Sequence, residues 1–233
     1  MTLGEHLAEL RRRVVLCAFA FAIGSVVAFI VYPSILHFLQ APYCRVAGAH
    51  RCQLYVTAPL DGLSLRVKLA TYGGLFLASP VILWELWRFI TPGLHRNEKR
   101  YAIPFVVSSI VLFAFGAFLA FVSFPHALQF LGSIGGPSLQ QIYNPNSYLG
   151  LLVALMAVFG LTFEFPVLLV SLELVGVVTP QKLSSWRRWA IVLIVVFAAV
   201  ITPSGDPFSM LALAVPMYVF YEVSIVIGKV LRR

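Results

Sequence analysis

The chain has 233 residues, of which 60% are hydrophobic and only 11% charged, with a mean hydropathy of +0.91; a soluble domain carries about 25% charged residues. This excludes water as the main solvent, and apolar runs approaching the ~20 residues that cross a ~30 Å hydrocarbon core predict one integral membrane domain over 1–233. The net charge of +8 is accounted for by loop Lys and Arg at a membrane surface, and the sequence has no aromatic-interleaved basic stretch, zinc-type Cys/His spacing or phosphate loop, so no nucleic acid, metal or cofactor is expected.

The leader to Arg13 reads as a helix start: Thr2 and Glu5 form a capping box, and Leu3, Leu7, Leu10 and Val14 recur at helical spacing. Glu9 stands three and four positions before Arg12 and Arg13, so an intrahelical ion pair is its plain role. The first apolar segment is 14–36. No small-residue cleavage site follows it, and it is expected to remain in the mature protein. The connection from His37 to Leu65 holds Cys44 and Cys52, either bridged or free, while Cys17 reads as a small core residue.

Further spans are predicted at 69–90, 101–124, 148–178, 189–201 and 208–227. The fourth, 31 residues or roughly 45 Å as one helix, must tilt or bend, and Pro166 offers the place. The fifth, 13 residues or about 20 Å, is too short for an average bilayer. Thinning of the bilayer, or water beside short fifth and sixth helices, follows. Pro33, Pro80, Pro104, Pro166 and Pro216 fall in or near the spans and predict a curved bundle.

Six spans put both termini on one side, and charge selects it. Arg11, Arg12, Arg13, Arg88, Arg96, Lys99, Arg100, Lys182, Arg187, Arg188, Lys229, Arg232 and Arg233 share that side, 13 of the 17 Lys and Arg. By the positive-inside rule both termini are expected to be cytoplasmic. Arg45, Arg51, Arg66 and Lys68 lie in or beside the first external connection; 125–147 and 202–207 carry no Lys or Arg.

The nine carboxylates include no credible general acid and base pair, so catalysis is not expected. Glu98 stands among four bases, Arg88, Arg96, Lys99 and Arg100, and solvated salt bridging would account for it. A functional reading needs a cationic ligand touching both Glu9 and Glu98. A pair of guanidinium groups suits that geometry, because each can bind a carboxylate through two parallel hydrogen bonds. Glu164 falls near the middle of the fourth span, where a charge costs about 2.5 kcal/mol or more; it should be neutral, paired or in contact with water. A small secondary transporter or channel using Glu164 is the main rival reading, but the two sets of three spans show no repeat symmetry. An intramembrane enzyme would need a partner at the depth of Glu164, and no His or Asp is evident.

The segments His6-Leu7-Ala8-Glu9-Leu10-Arg11, Ala41-Pro42, Ser79-Pro80-Val81-Ile82-Leu83, Trp87 to Leu94, Phe163-Glu164-Phe165-Pro166, Thr202 to Pro207 and Ala214 to Tyr218, in this order and spacing, resemble the TatC family. That family is the multi-spanning receptor subunit of the twin-arginine protein translocase. The resemblance implies a glove-shaped all-α bundle of six spans in the bacterial cytoplasmic membrane. It implies binding of twin-arginine signal peptides on folded cargo, assembly with single-span TatA- and TatB-type partners and further copies in a larger complex, and transport driven by the proton-motive force.

Carried over residue by residue, the resemblance implies that Glu9 and Glu98 receive the arginine pair, with Leu10, Arg11 and Phe89 on the same recognition surface. It makes Glu164 the intramembrane glutamate of the concave face, and Pro42 and Asp206 structural supports on the external side. Two features depart from the pattern. Met210 stands where some members have glutamine, and Cys44 and Cys52 are not part of it.

Overall fold

The computed structural model describes residues 3–47, 54–90, 102–134, 143–174, 176–202 and 205–231, and every regular element among them is helical. In chain order these are α1 (Leu3–Ile30), α2 (Tyr32–Ala47), α3 (Asp61–Ile90), α4 (Ala102–Ile134), α5 (Pro145–Thr162), α6 (Phe165–Leu174), α7 (Pro180–Ser185), α8 (Arg187–Ile201) and α9 (Pro207–Leu231). Among the described residues, five stretches are long and apolar enough to cross a membrane: Leu7–Ile30, Asp61–Phe89, Ile103–Ile134, Pro145–Leu174 and Pro207–Val230. The apolar α8 has 15 residues, about 22 Å at 1.5 Å per residue.

Several boundaries differ from the sequence expectation: α3 begins at Asp61, ahead of the predicted 69, and α4 runs on to Ile134, past the predicted 124, because a helix continues beyond its most apolar stretch. The first apolar segment is not one helix: the chain bends at Val31, and α2 carries it on to Ala47, well into the connection expected to follow. Proline explains the bend. Pro33 has no N–H for the Phe29 carbonyl one turn back; the Arg66 guanidinium instead lies 3.5 Å from that oxygen and 4.2 Å from the centre of the Phe29 ring. The sixth helix, expected to be short, is corrected by its 25 residues. A buried cap at Asp206, whose Oδ1 accepts the Ser209 N–H at 2.6 Å, starts α9 ahead of the apolar run, and the helix continues through Gly228 and Lys229.

Proline also breaks the fourth span. Pro166 removes an N–H, and its ring collides with the Thr162 carbonyl, so α5 ends at Thr162 and α6 begins at Phe165. The Phe163 N–H returns to Phe159 and the Glu164 N–H to Leu161, at 3.0 and 3.1 Å. α3 tolerates Pro80 without a break: the Ser79 hydroxyl donates at 2.8 Å to the Phe76 carbonyl that the proline leaves.

The helices form two compact units, residues 1–38 with 56–110 and residues 39–55 with 111–233. In unit 1, α1 and α3 run antiparallel, with Gly24 facing Gly74 and Ala28 facing Gly73. Small residues let the backbones close: a methyl group at Gly74 would stand 2.6 Å from the Ser25 nitrogen and 2.7 Å from its Cα. Near the C-terminus of α3, buried Trp87 donates from Nε1 to Ser109 Oγ at 2.6 Å and stacks on Phe105.

In unit 2 the core is centred on α5, whose Leu149, Leu152, Leu155 and Phe159 are fully buried. Gly116 of α4 lies against the Phe159 carbonyl, and Gly160 of α5 against the Phe113 ring. α6 packs on α9, and at the break just before α6 Phe163 meets Phe220 of α9 edge to face at 5.3 Å. Gly176, at φ +83°, closes the end of α6 by letting the Val177 N–H return to the Leu172 carbonyl at 3.0 Å.

Candidate functional site

Glu9 lies on α1, one helical turn before Arg13, and the two are paired. Arg13 reaches Glu9 Oε1 through Nη2 and, at 3.2 Å, through Nε. Its remaining arm, Nη1, reaches across to α3, 3.1 Å from Glu85 Oε2 and 3.4 Å from the Glu85 carbonyl. The same guanidinium is 6.0 Å from the centre of the Phe89 ring, the outer limit for a cation–π contact. One arginine thus joins two carboxylates on two helices above an aromatic side chain.

This arrangement follows from local sequence on both helices. Glu9 and Arg13 share a face of α1 because they are four apart, and Glu85 and Phe89 share a face of α3 for the same reason. The antiparallel glycine seam brings the two faces together. The Glu9 side chain is 25% exposed, against 13% for Arg13 and 11% for Glu85, so Glu9 is the most accessible member. Leu10 and Arg11 are exposed on α1, and Phe89 is half-buried. Glu98, the other expected carboxylate, lies outside the described residues, as do Thr2 of the capping box and Cys52.

Sequence alone gives no reason to single out Glu85, and it gives Arg13 as an intrahelical partner of Glu9 and one of the positive charges of the cytoplasmic side. The signal available was the spacing of Glu85 and Phe89 at the C-terminal end of an apolar span; the pairing with Arg13, 72 positions away, needed the fold.

In unit 2, Glu164 sits at the break between α5 and α6 and is 5% exposed, beside Phe163, whose ring contacts Phe115 and Phe220. One helix further on, Glu173 is 1% exposed, its carboxylate packed directly on Gly228 of α9. Pro42 is fully buried within α2. Beside it, the Tyr148 hydroxyl accepts the Tyr43 N–H and donates to the Leu39 carbonyl, both at 3.1 Å, the two groups that an unbroken helix would pair with each other. Asp206 is fully buried as the cap of α9, and Met210 is half-buried one turn on. Cys44 is disulfide-bonded and Cys17 is free. Among the described residues no three His, Cys, Asp or Glu side chains converge as a metal site.

Residues 5–216 match the family model of TatC, the Sec-independent protein translocase protein. The chain belongs to the TatC family. A TatC protein of Frankia casuarinae is 46% identical over 238 residues, covering 98% of this chain and 65% of the relative. One from Aquifex aeolicus is 37% identical over 236 residues, covering 100% and 97%. The chain therefore spans about two thirds of the Frankia relative's length and almost all of the Aquifex one. Among solved structures, a crystal structure of the twin-arginine translocase receptor TatC superposes with a TM-score of 0.79 at 36% identity, covering 98% of this chain and all of that one.

Membership of the TatC family makes this a multi-pass membrane protein with the TatC fold, and a component of protein transport rather than an enzyme. The helices of crossing length and the apolar exposed faces of α1, α3, α4, α8 and α9 are the physical side of that assignment.

Proposed function

We propose that the chain is the receptor and scaffold subunit of a twin-arginine translocase in the bacterial cytoplasmic membrane. It binds the arginine pair of signal peptides on folded cargo and assembles with TatA- and TatB-type single-span subunits and with further copies of itself for export driven by the proton-motive force. The observation that carries this reading is the state of Glu9: it already accepts a guanidinium, held beside Phe89 at the exposed end of an α1–α3 pair.

Recognition on this reading is charge-assisted. Glu9 and Glu98 each take one arginine of the signal through paired N–H···O bonds, which a planar guanidinium supplies and a lysine ammonium does not. Leu10, Arg11 and Phe89 flank the contact, and the apolar stretch of the signal then lies along the membrane-embedded helices. Glu164 is the polar point within the spans, while Pro42 and Asp206 hold α2 and the start of α9. Cys44 and Cys52 form a bridge.

The corresponding topology is six spans with both termini cytoplasmic, α8 being the fifth span and the place where the bilayer thins. A cysteine placed at Pro137 reacts with an impermeant external thiol reagent in intact cells on this topology; labelling only after lysis would overturn it. The function is tested by binding a twin-arginine peptide, beside a twin-lysine version, to the purified protein and to a Glu9→Ala, Glu98→Ala double variant. A preference for arginine that disappears in the variant is expected. Equal, weak binding of both peptides to both proteins would remove the receptor reading and favour a transporter or channel built around Glu164.

A further inference from the structure

Arg13 is placed unlike a staple that merely ties two helices. All three of its side-chain nitrogens are engaged, and they are divided: Nε and Nη2 on Glu9, Nη1 on Glu85. The Glu9 end is the more open, at 25% side-chain exposure, and the Glu85 end the more closed, at 11%. Glu85 adds a second acceptor for the same arm in its main-chain carbonyl.

We propose that Arg13 is a resident competitor that occupies Glu9 until an arginine of the signal displaces it, and that Glu85 is the positioning residue that retains Arg13 during the exchange. This deepens the receptor reading and rests on it. The incoming guanidinium approaches Glu9 from its open side. Arg13 gives up the Nε and Nη2 contacts and keeps those of Nη1, so neither carboxylate is left as a bare charge at the membrane boundary, where an uncompensated charge is costly. No bond is made or broken and no proton moves; one ion pair replaces another of the same chemistry.

The exchange has a definite sign in each direction. Arg13 lowers the affinity for a cationic ligand because its grip on Glu9 must be broken first. Glu85 raises that affinity by drawing Arg13 away from Glu9, and therefore acts only while Arg13 is present. A structural staple predicts the reverse for Arg13: loosening the end of the α1–α3 pair would weaken recognition.

The test is titration of a labelled twin-arginine signal peptide onto the full chain in lipid nanodiscs, with thermal unfolding of each variant as the folding control. Arg13→Gln is expected to bind about threefold to tenfold more tightly than the unaltered chain, the worth of a partly exposed, charge-assisted pair. Glu85→Gln is expected to bind more weakly by a similar factor, and in the Arg13→Gln background to have no effect. Unchanged or weaker binding by folded Arg13→Gln overturns the proposal. So does a Glu85→Gln effect that persists without Arg13, which would make Glu85 a direct ligand of the signal. If Arg13→Gln does not fold, Arg13→Lys serves: a single ammonium nitrogen cannot reach both carboxylates as three separate guanidinium nitrogens do, so tighter binding is expected and unchanged or weaker binding overturns the idea. The unaltered chain's own choice between twin-arginine and twin-lysine peptides separates the two levels. Loss of that preference removes the receptor reading, whereas preference without tightening in Arg13→Gln removes only the competitor.

Discussion

In unit 1 the carboxylates of Glu9 and Glu85 share a guanidinium at the ends of two helices, whereas in unit 2 Glu164 and Glu173 are buried, Glu173 with its carboxylate against Gly228 of α9. Exposure separates the two arrangements: 25% and 11% for the first pair of side chains, 5% and 1% for the residues of the second. A partly exposed ion pair contributes little net stability and can exchange partners. A carboxylate within a span is tolerated only where its surroundings are fixed, so it belongs to the architecture as much as to function. Substitutions at the first pair should therefore change binding, and substitutions around the second should change stability.

The firmest way to break this comparison is to disturb the seam that creates the exposed pair. Gly74→Leu places a Cβ within 2.7 Å of the Ser25 backbone, which cannot rotate away as a side chain could. Forcing α1 from α3 should cost about 3 kcal/mol or more, read as loss of the folded protein in detergent unfolding, with signal binding lost in parallel. Gly62→Ala is the contrasting control. Beyond its own stretch of helix backbone nothing lies within 4 Å of the added carbon, and α3 should be unchanged or stabilised by up to about 1 kcal/mol.

A second substitution sharpens the contrast within unit 2. A methyl at Gly228 would lie 2.5 Å from Glu173 Cδ and 2.8 Å from its Oε1, so Gly228→Ala must push a buried carboxylate aside, at a cost of about 2 kcal/mol. Removing the carboxylate relieves the clash. The double variant Gly228→Ala, Glu173→Ala should thus be more stable than the sum of the single changes predicts, by about 1 kcal/mol or more in a double-mutant cycle. Additive effects would show that Glu173 does not rest on α9. Tyr148→Phe should cost less, about 1 kcal/mol, because it removes one hydroxyl from the Leu39 and Tyr43 backbone groups while keeping the ring against Tyr43 and Phe124.

The two regions were unequally legible in the sequence, for physical reasons. Hydropathy exposes the spans, and the covalent lack of an N–H in proline made the break before Pro166 readable. The pairing of Glu9 with Arg13 is a four-residue spacing on one helix, so local pattern suffices. What closes the site is not local. Glu85 meets Arg13 only because Gly24, Ser25 and Gly74 allow α1 and α3 to touch, and Glu173 meets Gly228 across two helices; neither relation leaves a periodic trace in either partner's neighbourhood. The extra length of α9 lies mainly at its C-terminal end, where the helix runs on through Gly228 and Lys229 to Leu231 beyond the apolar run that ends near 227, whereas the Asp206 cap shifts its start by a single residue. The same holds for α2, whose helix outlasts its apolar run.

The smallest expected effect is also the most discriminating about what surface charge does here. Arg187 and Glu222 join α8 to α9 at 2.8 Å, with side chains 45% and 29% exposed, and Tyr218 donates to the same carboxylate at 3.1 Å. By exposure this pair resembles Glu9 and Arg13 more than the buried carboxylates. Arg187→Gln should therefore change stability by about 0.5 kcal/mol or less, with the difference shrinking in high salt. A loss of 2 kcal/mol or more, insensitive to salt, would mean that the lipid-facing position of α8 raises the worth of an exposed pair far above its value in water. The grip of Arg13 on Glu9 would then be stronger by the same reasoning, and the tightening expected from Arg13→Gln correspondingly larger.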